Sequence, residues 1–176
     1  MKNHKEETLR DKIELLSSRI KNLREERGLS LTELADRAGI SKSTLSLIES
    51  GKANPTISTL WAIADALEVP FGLLIDVNNI IEEDGISVRL IERLNNSEVY
   101  IMKFRPKSMR RAAPHAGGVR EHVFVAGGSI LVGPAESPKL VGKWETHDFR
   151  GDVPHVYVSL DDPSLAVVVV EYEVRA

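Results

Sequence analysis

The stretch "APHAGGVREHVFVAGG", residues 113–128, gathers a histidine, a glutamate, a second histidine and two glycine pairs among alternating valines. Imidazole and carboxylate are ligands of first-row divalent metals, and the same groups move protons or hold polar small molecules. Side chains of an extended chain alternate between faces, so Glu121, Val123 and Val125 share one face and His122 takes the other. A carboxylate set among buried valines needs a partner. Three chemistries are open: a metal site on a strand, a pocket for a small molecule, or strand-end histidines bonded to backbone with Glu121 paired to an arginine. Five arginines lie in or near this stretch and the later "DFRGDVPHVYVSL", namely Arg105, Arg110, Arg111, Arg120 and Arg150. A guanidinium can clamp a carboxylate or phosphate through two parallel bonds, although most arginines are simply solvated.

A second chemical group precedes it. In "SKSTLSLIES", residues 41–50, helical spacing turns Leu45 and Ile48 inward and leaves Lys42, Ser43, Ser46 and Leu47 outward, with Ser41 and Thr44 at the start. Lysine can donate to guanine O6 and N7, and hydroxyls can reach phosphates or base edges. The bland alternative is a solvated face in a helical bundle.

These groups sit in two halves of different period. The chain has 176 residues, 42% hydrophobic and 28% charged, a net charge of −3 and no cysteine. That composition fits one or two globular domains and excludes a disulfide framework or thiolate metal site. The longest apolar run, "LAVVVV", is far below the roughly 20 residues that span a bilayer. The charged start "MKNHKEETLRDK" has no apolar stretch behind it, so a secretory signal is not expected and a cytoplasmic setting is. With no net positive charge, any nucleic-acid binding must come from local geometry.

Residues 9–76 read as five short helices. Ile13, Leu16, Ile20 and Leu23 recur at spacings of three and four. Ser30 with Glu33 three positions on is a capping box, and Gly28, Gly39 and Gly51 close successive helices. Two short helices joined by "AGIS" have helix-turn-helix spacing, with Ile40 filling the angle between them. Residues 77–85 read as a linker. Over residues 86–176 short β-branched segments separated by Gly, Pro and Asp predict an all-β domain of seven or eight strands.

The phrases "LREERGLSLTELA", "AGISKSTLSLIESGKANP" and "TLWAIADALEVP", within residues 17–70, resemble the Cro/repressor-type (XRE) helix-turn-helix domain. The resemblance implies double-stranded DNA as partner, a recognition helix over 41–50, a pair between Arg24 and Glu49, and phosphate contacts from Lys52 and Asn54. Many members open the second helix with Gln; Leu31 stands there, so no contact is assigned to it. Such domains commonly bind as dimers.

"PHAGGVREHVFVAGGSILVG" and "DFRGDVPHVYVSL" resemble the two motifs of the cupin, a double-stranded β-helix or jelly-roll barrel. His115 matches the second histidine, Glu121 the glutamate with one extra residue of spacing, Gly128 the glycine and His155 the last ligand. The first histidine position holds Ala113, and the second motif's Pro, Gly and Asn are Arg150, Asp152 and Ser159. The resemblance implies a pocket lined by His115, Glu121 and His155, to which we add Arg105. Those two histidines and one carboxylate could also hold a divalent transition metal.

Together these readings predict a DNA-binding transcriptional regulator with no catalytic residues. Its cupin domain would dimerise and sense a small molecule. Two alternatives stand beside it: a metal-dependent cupin oxygenase or isomerase with a DNA-binding appendage, and a helical module that binds protein.

Overall fold

The computed structural model describes residues 2–75, 80–115 and 117–173, with residues 2–12 described by backbone alone. The chain divides into two compact units, residues 1–75 and 76–176.

The first unit contains α1 (Lys2–Glu26), α2 (Leu31–Arg37), α3 (Lys42–Glu49) and α4 (Ile57–Ala66). Each short helix starts on a hydroxyl cap. Ser30 Oγ accepts from the Glu33 amide while Glu33 accepts from the Ser30 amide, and Ser41 and Thr56 cap α3 and α4. These bonds satisfy amides that the first helical turn leaves unpaired, which lets helices of seven to ten residues stand. Gly39 turns the chain between α2 and α3 at φ +63°, a left-handed conformation that costs other residues energy. Ile20, Leu34, Leu45, Ile48, Ile57, Leu60 and Ile63 form the sealed core.

Two details differ from the sequence reading. The first helix begins at Lys2 rather than near residue 9. The expected fifth helix is a single 3-10 turn, Phe71–Leu73, held by bonds from Leu73 N–H to Pro70 O and from Leu74 N–H to Phe71 O. Pro70 presets an extended entry, and the pull of packing is local: Phe71 stacks on Trp61 at 4.2 Å between ring centroids.

The second unit holds β1 (Ile80–Glu83), β2 (Ile86–Arg93), β3 (Ser97–Phe104), β4 (Met109–Ala112), β5 (Arg120–Gly127), β6 (Ile130–Pro134), β7 (Lys139–Val141), β8 (Thr146–Arg150), β9 (His155–Ser159) and β10 (Ser164–Glu171). They form two antiparallel sheets, ordered β1-β2-β3-β10-β5-β8 and β4-β9-β6-β7. Strict alternation buries one face of each long strand, and Val88, Tyr100, Met102, Phe104, Val123, Val125, Ile130, Val132, Ala166 and Val168 fill the interior. The expected linker needs correction: residues 80–83 are strand β1, paired to β2 through the turn at Asp84 and Gly85, whose positive φ values suit a tight hairpin. Its remaining expected positions up to residue 79 lie outside the described residues. Ile80 and Ile81 carry the β-branched signal, which the Asn and Glu around them masked. Strand β4 is also additional to the segments read from sequence, because "MRRA" has no alternating apolar residues.

Candidate functional site

Helix α3 presents its chemistry outward. Ser41, Lys42, Ser43, Thr44, Ser46 and Leu47 are all exposed, as are Lys52 and Asn54 beyond its end, while Leu45 and Ile48 anchor the buried side. The hydroxyls at the helix start are not equivalent. Ser41 Oγ accepts from the Thr44 amide at 3.0 Å and also lies within hydrogen-bond distance of the Ser43 and Thr44 hydroxyls. Leu47, 47% exposed, is a large apolar side chain on an otherwise polar face, suited to contact with a thymine methyl.

Arg24 and Glu49 meet across the unit. Arg24 Nε donates to Glu49 Oε1 at 2.7 Å and Nη2 to Oε2 at 2.9 Å, while Nη1 donates to Leu29 O at 2.8 Å. This two-toothed bond ties the last turn of α3 to the end of α1. It also holds the loop before α2, so one guanidinium fixes three segments. The bonds from Glu49 hold the Arg24 guanidinium above its ordinary pKa.

In the β unit, strand pleating brings His115, Glu121 and His155 together in the interior. Glu121 is on β5, His155 opens β9, and His115 precedes the turn before β5, its amide bonded to Gly151 O. His115 Nε2 lies 3.0 Å and His155 Nε2 3.1 Å from Glu121 Oε1, and all three side chains are at most 3% exposed. Tyr157, one pleat along β9 from His155, donates its hydroxyl to Glu121 Oε2. Burial alone would push the Glu121 carboxyl up, but the two imidazoles outweigh it and hold the group well below the usual carboxylate range. Burial and the neighbouring Glu121 push the Tyr157 phenol far up, so it remains a donor.

The two ring nitrogens of His155 play different parts. Nδ1 donates to Val153 O at 2.8 Å. Nε2 makes no hydrogen bond among the described residues although Glu121 Oε1 is close. With Nδ1 donating to Val153 O, Nε2 faces the carboxylate, and a proton or a cation between them satisfies both atoms. Ligand atoms about 2.1 Å from a six-coordinate metal lie about 3.0 Å apart. The two histidine–carboxylate separations equal that spacing, the three ligand atoms all lie within 4.8 Å of one another, and a ligating imidazole usually donates its other N–H to a carbonyl, as His155 does. The residues fit a divalent metal.

A cleft of about 690 Å³ opens beside β8, lined in part by Pro134, His147, Phe149 and Val153. Phe149 separates it from the buried cluster, its ring 5.6 Å from His155 and 6.4 Å from Tyr157.

Known proteins share both halves. A helix-turn-helix family model (HTH_3) matches residues 20–74. The HTH-type transcriptional regulator SutR of Escherichia coli is 31% identical over 158 residues, covering 81% of this chain and 85% of that protein. This chain belongs to the HTH-type transcriptional regulators. The HTH-type regulator SinR of Bacillus subtilis is 42% identical over 72 residues, 40% of this chain and 65% of its own length. A crystal structure of an HTH_3 family transcriptional regulator from Vibrio cholerae superposes with a TM-score of 0.86 at 27% identity, covering 93% of this chain and 98% of that one.

Within this regulator the arginines sort differently from the sequence expectation. Arg105, expected to line the pocket, is 76% exposed and sits 3.9 Å from Glu82 outside the cluster. It follows the end of β3, where the pleat no longer turns it inward. Arg111 is exposed, Arg120 pairs with Asp148 at 2.7 Å, and Arg150 with Asp152 at 2.9 Å. Arg110 is the buried one. His122 faces outward near Glu171, on the side opposite Glu121 as the pleat dictates. Sequence reasoning missed Tyr157 as part of the cluster. Its signal was present, since Tyr157 stands two residues after His155 and so shares its face.

Proposed function

We propose that this DNA-binding regulator reads its operator through α3 and senses a small molecule at the His115–Glu121–His155–Tyr157 cluster. Lys42, Ser46 and Leu47 supply base contacts, Ser43 and Thr44 assist at the helix start, and Lys52 and Asn54 hold phosphates. Ser41 spends its oxygen capping α3, so its role is to set the helix rather than read a base. The regulator acts as a homodimer in the cytoplasm, because one short recognition helix makes too few base contacts for selectivity and a second half-site about 34 Å away doubles them. The single observation that carries the sensing role is the convergence of His115, Glu121, His155 and Tyr157 in the buried interior of the β unit. Burying such groups costs stability, and a domain serving only to join two copies has no need of them.

His115, Glu121 and His155 would hold a divalent metal, which when bound supplies a Lewis-acid point for a ligand oxygen. Tyr157 orients the Glu121 carboxylate, and Val153 O orients the His155 ring. The reading assigns binding and no turnover to the cluster. Ligand binding there shifts operator affinity by a coupling of about 1–3 kcal/mol. Selection of genomic fragments by the full chain tests the operator half, with enrichment of one sequence expected and steep weakening in salt. For the sensing half, His155→Ala should abolish any ligand effect on operator affinity while leaving affinity without ligand intact. A ligand response that survives His155→Ala and Glu121→Gln would refute it.

A further inference from the structure

Arg110 stands on β4 opposite Tyr157 of β9, and cross-strand partners share a face, so its side chain turns into the same interior as the cluster. It is buried, and its Nε has no hydrogen-bond partner. No hydrogen bond or ion pair links Arg110 to any described residue, although Glu121 and Glu83 are near enough for their charges to be felt. Glu121 and Glu83 offset part of its charge, but no acceptor reaches its Nε. Burial lowers the guanidinium pKa, but arginine stays charged in proteins. A buried cation with idle donors is costly to a folded chain unless something pairs with it. Its cross-strand partner Tyr157 stacks with Phe104 at 6.2 Å and meets Phe149 edge-on.

We infer that Arg110 is the anchor for a monoanionic organic carboxylate, the effector class of this regulator. A buried guanidinium whose Nε is unbonded offers a planar donor fork that matches one planar carboxylate. The apolar side chains that fill the interior match an apolar body on that carboxylate. The carboxylate would neutralise Arg110 beside Tyr157 and the cluster. The inference rests on the sensing reading above but adds a residue and a ligand charge to it.

Calorimetric titration of the full-length protein with acetate, butyrate, benzoate, butyramide and inorganic phosphate tests it, with operator affinity measured in parallel. Butyrate or benzoate should bind, and butyramide, of the same shape without charge, about 100-fold more weakly. Arg110→Met should lose carboxylate binding by a similar factor, and Arg110→Lys should fall between, since it keeps the charge without the fork. Unliganded Arg110→Met should melt no lower than the parent, because it removes an unpaired buried charge. Equal binding of butyrate and butyramide would overturn the inference. So would unchanged carboxylate binding by Arg110→Met, binding of none of the carboxylates, or a melting temperature several degrees lower for that variant. If a neutral compound shifts operator affinity without Arg110, the anchor fails and sensing stands. If carboxylates bind through Arg110 but leave operator affinity unchanged, sensing fails and the anchor stands.

Discussion

Replacing Glu49 with alanine breaks the tie between the recognition helix and α1, and its cost can be worked from the geometry. The Arg24 side chain is 11% exposed and that of Glu49 is 7% exposed, so water replaces little of what is lost. Two short charge-assisted bonds disappear, and Arg24 keeps only Leu29 O and Glu25 at 3.5 Å. Breaking a buried pair from one side costs about 3–5 kcal/mol, and the lower end applies here because the pair lies at the edge of the core. A helical unit of this size loses roughly 4–8 °C of melting temperature per kcal/mol, so Glu49→Ala should melt about 12–24 °C lower. Far-ultraviolet circular dichroism of the full chain reads this directly, since all α-helices among the described residues lie in the first unit. The double replacement Arg24→Met with Glu49→Leu should cost far less, about 1 kcal/mol, because no charge is stranded. A cycle with Arg24→Ala and Glu49→Ala should return a coupling of about 2–3 kcal/mol. A loss below about 0.5 kcal/mol for Glu49→Ala, or single losses that simply add, would place the pair among weak surface contacts and refute the reasoning.

Other expectations follow from particular residues. Lys42→Ala should weaken operator binding by about 1–3 kcal/mol and relax sequence preference at one base pair, whereas Lys52→Ala should weaken all sequences alike and lower the salt slope by about 1. Quantitative mobility shifts at several salt concentrations separate the two. Asp152 accepts from Arg150 and from the Gly118 amide, and those bonds draw its carboxyl down to about 2. A depressed carboxylate stabilises fully above its ordinary value near 4 and loses that contribution as pH falls toward 2, so the protection of the Gly118 amide relative to its intrinsic exchange rate should fall over that window and not in Asp152→Asn. Tyr157→Phe leaves buried Glu121 short of a donor and should cost about 2–3 kcal/mol in denaturant titration. Gly128 adopts φ +70°, and an added Cβ would meet Pro163 O at 2.6 Å, so Gly128→Ala should destabilise the β unit by about 3 kcal/mol or more in the same titration.

The helical half was legible because its determinants are local. Caps, closing glycines and apolar spacing all act within one turn of the chain, and each helix end follows from residues three or four positions away. The 3-10 turn was not legible: whether "FGLL" continues as α-helix is decided by the stacking of Phe71 on Trp61. In the β half, period-2 patterning revealed the strands that bury one face. It hid β4, whose inward residue Arg110 carries the opposite chemical signal from a core side chain. The same inversion explains the choice of Arg105 over Arg110. Proximity in sequence to a motif says nothing about face, and burial of Arg110 is set by its register against Tyr157 on a distant strand. Glu121 was readable because its own neighbours are valines. That Tyr157 would reach it required the second sheet.

Strand β10 lies between β3 and β5, paired along its length with both. During synthesis the two flanking strands emerge first, and neither has its permanent neighbour until residues 164–171 follow. For that interval the inner edges of β3 and β5 stay open, each able to pair with a wrong strand or another chain. The helical unit has no such delay, since its partners are near in sequence and already made. A nascent chain can therefore carry a folded helix-turn-helix head before its β unit exists, and a chain broken within residues 164–171 would keep the head and lose the β unit.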